Sequence, residues 1–97
     1  MTGSYVGKAK GGKLIRLELS WTQDRIDALR LRGDFFAHPE DGFEAVEASL
    51  PGCLLTELGA AFARGIAERG VSVFGLLPED LDDAARAIVA SASGKGA

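Results

Sequence analysis

Lys10-Gly11-Gly12-Lys13 is the first stretch of this chain whose residue types could do chemistry. Two ammonium groups flank two residues that tolerate φ > 0, so the backbone there can turn its N–H groups towards an anion such as a phosphate. The segment is much shorter than a P-loop and no Ser or Thr follows it, so such a site would rest on charge and backbone alone. His38 is the single histidine, and any His-based metal site or Ser/His/Asp relay would need residues from another chain. Its place before Pro39 suits an N-cap or a surface residue. Glu40, Asp41, Glu44 and Glu47 include pairs three and four apart. Buried, such carboxylates do acid–base work; exposed, they make a solvated helix face, and that is the reading their density favours. Cys53 is the sole cysteine, which excludes an internal disulfide. It follows Pro51-Gly52 with no basic neighbour to lower its pKa, so it reads as a small apolar residue beside Leu54 and Leu55 rather than a sulfur-accepting thiol. No catalytic constellation and no metal-ligand cluster emerges.

Ninety-seven residues, 46% hydrophobic and 26% charged, describe one ordinary globular domain. No apolar run nears the ~20 residues needed to span a bilayer, and the start lacks a basic segment followed by an apolar one, so a cytoplasmic protein is expected. Charge is uneven. Residues 1–36 carry seven cations against four acids, the remainder four against ten. A basic first half favours an anionic ligand or an acidic partner, although solvated charges on an outer face explain the same count. The overall acidity, and aromatics that do not interleave with the basic residues, argue against nucleic acid. Arg32-Gly33-Asp34 matches a cell-adhesion tripeptide but lies between two elements of a chain without a secretion signal, and it is set aside.

The elements that must hold these residues follow from periodicity. Ser4–Ala9 is a short strand, and Gly11-Gly12 suits a hairpin turn. Over 13–21, Ile15, Leu17, Leu19 and Trp21 share one face while Arg16, Glu18 and Ser20 share the other. A turn at Thr22-Gln23-Asp24 leads to a third strand over 25–32, with Leu29 and Leu31 inward and Arg30 and Arg32 outward. Ile26 breaks that alternation and predicts a bulge near Asp27–Ala28 or a contact at the sheet's end. The chain then changes character at Gly33-Asp34-Phe35-Phe36-Ala37-His38-Pro39. Gly33 permits φ > 0 or a close backbone approach, and Asp34 suits an Asx turn. Phe35 and Phe36 point to opposite sides, one to the core and the other to an edge or a partner. Pro39 fits the first helical position with His38 as N-cap. Phe43, Val46 and Leu50 are spaced for a helix that ends at Pro51-Gly52. A second helix runs from about Thr56 to Arg69, where Gly59 and Gly65 either weaken it or mark close packing. Val71–Phe74 is a short strand or a connector. Pro78-Glu79-Asp80 opens a third helix carrying Leu81, Ala84, Ala85, Ile88 and Val89, although Leu77 stands where a Ser or Thr cap is expected. Ser91–Ala97 reads as a frayed tail, with the domain assigned to 1–93 and a flexible end to 94–97. The expectation is an α+β domain, an antiparallel three-stranded sheet with about three helices on one face.

Residues 10–17, Ile26, Leu29 and Leu31, the run Gly33-Asp34-Phe35-Phe36-Ala37-His38-Pro39-Glu40, and Glu47-x-x-Leu50-x-Gly52 together resemble the accessory domain of lipoate–protein ligases. The resemblance covers about Tyr5 to Ala90, with Pro78-Glu79-Asp80-Leu81 matching the start of the last helix. It implies a fold like that of iron–sulfur scaffold and sulfur-acceptor proteins. It also implies a separate small subunit, or an excised ligase domain, that assists formation of lipoyl-adenylate from lipoate and ATP, with no catalytic residue of its own. Lipoate, ATP and Mg2+ would belong to the shared complex, and the partners would be a catalytic ligase subunit and, indirectly, lipoyl-acceptor domains. Lys10, Gly11, Gly12, Lys13 and Arg16 are expected near that partner or its nucleotide. Gly33, Asp34, Phe35, Phe36, His38 and Pro39 are expected to form the structural corner and interface. The competing readings are an iron–sulfur assembly or sulfur-acceptor protein using Cys53, and a plain interaction module.

Overall fold

The computed structural model describes residues 1–10 and 12–95; Gly11 lies outside the described residues. Strands β1 (Thr2–Lys8), β2 (Leu14–Thr22) and β3 (Arg25–Gly33) form an antiparallel meander in chain order. Its alternation is the expected one: Ile15, Leu17, Leu19 and Trp21 are buried, whereas Leu14, Arg16 and Glu18 are exposed. On the opposite, wet face the rows read Val6, Arg16, Arg32 and Ser4, Glu18, Arg30 across the three strands. The anticipated bulge is present. Ser20 pairs with Ala28 and Trp21 with Ile26, so Asp27 is the extra residue, and its carboxylate accepts a 2.6 Å hydrogen bond from the Thr22 hydroxyl. The shift turns Ile26 into the core, where it is 1% exposed.

Helix α1 (Glu40–Ser49) buries Phe43 and Val46, and Leu50 closes it. Its start differs from expectation. Pro39, with extended backbone, is itself the N-cap and makes no side-chain cap, while His38 belongs to a strand and is joined to Pro39 by a cis peptide. That strand is the second departure: β4 (Phe36–His38) pairs antiparallel with β5 (Ser72–Phe74), a two-stranded ribbon separate from the meander. Phe36 and Phe74, which face each other across it, are 38 positions apart in the chain, and such a long-range register leaves no local signal in three-residue strands.

A 3-10 turn (Leu55–Glu57) precedes helix α2 (Leu58–Arg69), which ends at Gly70 in the left-handed conformation (φ 65°) that only glycine adopts without strain. Helix α3 (Pro78–Lys95) buries Leu81, Ala84, Ala85 and Ile88 against the sheet and α2. It runs on past Ser91 to Lys95, so the frayed tail expected from Ser91 is helical as far as described, and 96–97 lie outside the described residues. The two α2 glycines mark contact, not weakness. A Cβ on Gly65 would sit 2.9 Å from Val46 Cγ1, and one on Gly59 would strike the Asp82 carboxylate and the Pro78 carbonyl. Asp82 instead accepts the Gly59 N–H at 2.8 Å, capping α2 from α3 where Glu57 provides no side-chain cap. No helix among the described residues is long and apolar enough to cross a membrane.

Candidate partner interface

The β1–β2 turn is tied to the start of α3. Asp80 is 5% exposed, and its carboxylate accepts the Lys10 N–H at 3.0 Å and the Leu77 N–H at 2.7 Å. The second bond is half of a capping box, in which a side chain inside the helix reaches back to the residue before it. The missing Ser or Thr at position 77 is thus compensated from Asp80, which residue-by-residue reading of the cap position overlooks. The Lys10 ammonium lies 2.9 Å from Glu79, and that carboxylate raises the ammonium pKa. Lys10 therefore has its N–H and its charge engaged inside the chain. Gly12 has φ 88°, as the turn requires. Among the described residues Lys8, Lys13, Arg16 and Arg30 enter no ion pair, whereas Arg32 reaches Glu47 at 3.2 Å. Arg16, Glu18, Arg30 and Arg32 line an open depression of about 300 Å3 together with Val6 and Leu14.

The corner works by close approach. Gly33 has φ 158°, near extended backbone, and a Cβ there would collide with the Leu14 carbonyl oxygen and lie 2.9 Å from Ile15 Cα. Asp34 donates its N–H to the Leu14 carbonyl at 2.8 Å, and among the described residues its carboxylate accepts no hydrogen bond, so the expected Asx turn is replaced by a backbone bond. Phe35 turns inward, with its ring centroid 5.5 Å from that of Phe43, which in turn meets Phe62 edge-on at 6.2 Å. Phe36 turns outward and is 74% exposed. Directly opposite it across the ribbon is Phe74, 65% exposed, and Leu77 follows it in the chain. Lys13 leans its stem on Gly75. Val6, Leu14, Phe36, Phe74 and Leu77 are exposed large apolar residues drawn from segments that meet at this one end of the molecule. The Phe36–Phe74 pair lies on a surface ribbon with Lys13 beside it, an exposed apolar patch rather than an enclosed pocket. His38 is exposed on the same ribbon.

The remaining candidates form no second centre. Glu47 folds back onto β3, where it accepts the Leu31 N–H at 2.6 Å, while Glu40, Asp41 and Glu44 stay exposed. Cys53 is half-buried, and burial pushes its thiol pKa up, with Glu57 and Asp82 adding to the effect. No group of three or more His, Cys, Asp or Glu residues among the described ones gathers closely enough to hold a metal ion.

The chain is 37% identical over 81 residues to a protein of Thermoplasma acidophilum named lipoate-protein ligase A subunit 2, and the match covers 84% of each. It belongs to the lipoate–protein ligase accessory-subunit family. A solved structure from the same organism agrees, with a TM-score of 0.68 and 30% identity over 88% of this chain and 97% of that one. That structure is described as coming from an archaeal lipoylation system, a bipartite lipoate protein ligase and its E2 lipoyl domain. No protein-family model matches. The chain thus shares its α+β fold, in which a three-stranded antiparallel sheet packs with three helices, with that lipoate ligase structure.

Proposed function

We propose that this accessory subunit assists a separate catalytic subunit in ATP-dependent formation of lipoyl-adenylate, with release of pyrophosphate. Lipoate, ATP and Mg2+ are assigned to the shared complex, and lipoyl-acceptor domains meet the chain only through it. The observation that carries the reading is the Phe36–Phe74 pair, two large rings left in water on a family member whose relative works in a bipartite ligase. Leaving both rings solvated forgoes about 25 cal/mol for each Å2 of apolar surface, which a partner recovers on docking. Lys13, whose stem rests on Gly75 next to Phe74, supplies positive charge beside the rings, and the Lys10–Lys13 turn and the 34–38 corner are assigned to the contact. The sulfur-acceptor alternative needs a nucleophilic thiolate at Cys53, and burial acts in the opposite direction.

The test is ATP–pyrophosphate exchange by the catalytic subunit of the same organism, with and without this chain. Added chain is expected to accelerate exchange, and a Phe36→Asp, Phe74→Asp double variant to lose that effect with an unchanged melting curve. Equal exchange with and without the wild-type chain overturns the reading.

A further inference from the structure

The meander has two edges, and the fold treats them differently. Along β3 the outward groups of Ile26 and Leu31 are occupied. Ile26 donates to the Cys53 carbonyl at 3.0 Å and accepts from Gly52 at 2.7 Å. Leu31 donates to the Glu47 carboxylate at 2.6 Å and accepts from the Arg32 guanidinium at 2.8 Å. Such coverage is how sheets avoid unwanted pairing. Along β1 the direction of the backbone groups follows from one pair: Met1 and Trp21 exchange both hydrogen bonds, at 2.7 and 2.8 Å. Antiparallel pairing alternates, so Gly3, Tyr5 and Gly7 bond to β2, while Thr2, Ser4, Val6 and Lys8 aim their N–H and C=O groups away from the sheet. All four of these residues are exposed, and no strand among the described residues pairs with that edge. The edge is seven residues long and contains no proline or acidic residue.

Resting on the function proposed above, we propose that the β1 edge accepts an extended, acidic segment of the catalytic subunit as a fourth strand. Strand addition takes its affinity from main-chain hydrogen bonds and its selectivity from the side chains flanking the edge. Here the flanking wet face presents Lys8, Arg16, Arg30 and Arg32, with Glu18 the one acidic residue among the β1–β3 side chains of its central rows. An incoming strand would lay every second side chain beside Ser4, Val6 and Lys8. Carboxylates there meet Lys8 and Arg16, and an apolar residue meets Val6, 53% exposed. A basic or neutral segment gains no such charge complement. The edge ends at the Lys10–Lys13 turn, so one partner can hold both the strand and the Phe36–Phe74 ribbon.

Proline at an outward position tests this directly, because it removes an N–H the sheet does not use and is tolerated on edge strands. Val6→Pro and Ser4→Pro should keep the far-ultraviolet spectrum of the wild type. Both should weaken binding of the purified catalytic subunit at least about tenfold, the equivalent of one lost main-chain bond. In the wild-type complex, amide exchange at Ser4, Val6 and Lys8 should slow relative to the free chain, which decides the matter even where a proline variant fails to fold. Arg16→Glu should weaken binding and flatten its loss with salt, because the attraction that salt screens is gone. A complex that forms with unchanged exchange at those amides overturns the strand proposal alone. A catalytic subunit that does not bind the chain at all overturns the proposed function and this inference with it.

Discussion

Replacing Asp80 by alanine is the most demanding test of how the β1–β2 turn is held to α3. The carboxylate is 5% exposed and accepts two backbone N–H groups, from Lys10 in the β1–β2 turn and from Leu77 before α3. Hydrogen bonds to a charged group contribute about 1.5–3 kcal/mol each, and loss of a helix cap costs about 0.5–2 kcal/mol. Water reaches a site that is only partly buried once the side chain is shortened, so the lower ends apply and the sum is about 2–4 kcal/mol. For a domain of this size each kcal/mol lowers Tm by about 4–8 °C, so a drop of about 8–32 °C is expected by circular dichroism. Asp80→Asn keeps one acceptor oxygen and turns an NH2 group towards the other donor, so it should fall between alanine and wild type. Glu79→Ala is the control: its pair with Lys10 is exposed on both sides and should leave Tm nearly unchanged. If Asp80→Ala melts with Glu79→Ala, the carboxylate does not pin the turn to the helix and the reasoning fails.

Glu47→Ala leaves the Leu31 N–H without its acceptor on the β3 edge and should cost about 1–3 kcal/mol in urea unfolding, with Glu47→Gln milder because one acceptor remains. An equal loss for both would assign the effect to charge instead. Gly33→Val drives a Cβ into the Leu14 carbonyl and should cost about 1–3 kcal/mol or more, read as a lower urea midpoint; an unchanged midpoint refutes the close-approach account. Cys53 should alkylate more slowly than a free thiol at pH 8. Burial raises its pKa, so thiolate is scarce there and the rate should keep climbing as pH passes the ordinary cysteine value. A rate already at its plateau near neutrality would restore the sulfur-acceptor reading.

The meander was legible because Ile15, Leu17, Leu19 and Trp21 alternate strictly with polar residues, and even its bulge was visible as the broken parity at Ile26. The inward and outward division of Phe35 and Phe36 was legible for the same reason. Three features were not. The β4–β5 ribbon pairs distant segments too short to carry a period, so Phe74 could not be recognised as the neighbour of Phe36. His38 was placed at a helix cap because Pro39 commonly occupies the first helical position, whereas the ribbon pulls His38 into a strand and moves the cap to Pro39. Asp80 and Asp82 resemble ordinary first-turn acids, and only the packing of α3 against the β1–β2 turn and α2 turns them into caps for other elements.

The ribbon has a mechanical consequence. Its two strands bracket the excursion 39–71, which contains α1 and α2, so keeping Phe36 beside Phe74 closes that excursion into a ring. A body that grips both rings prevents the two ends of the excursion from separating, and the entropy gained when the ring opens is withheld. Phe35, Phe43 and Phe62 run from that clasp into the core, so α1 and α2 would resist unravelling although the gripping body never touches them.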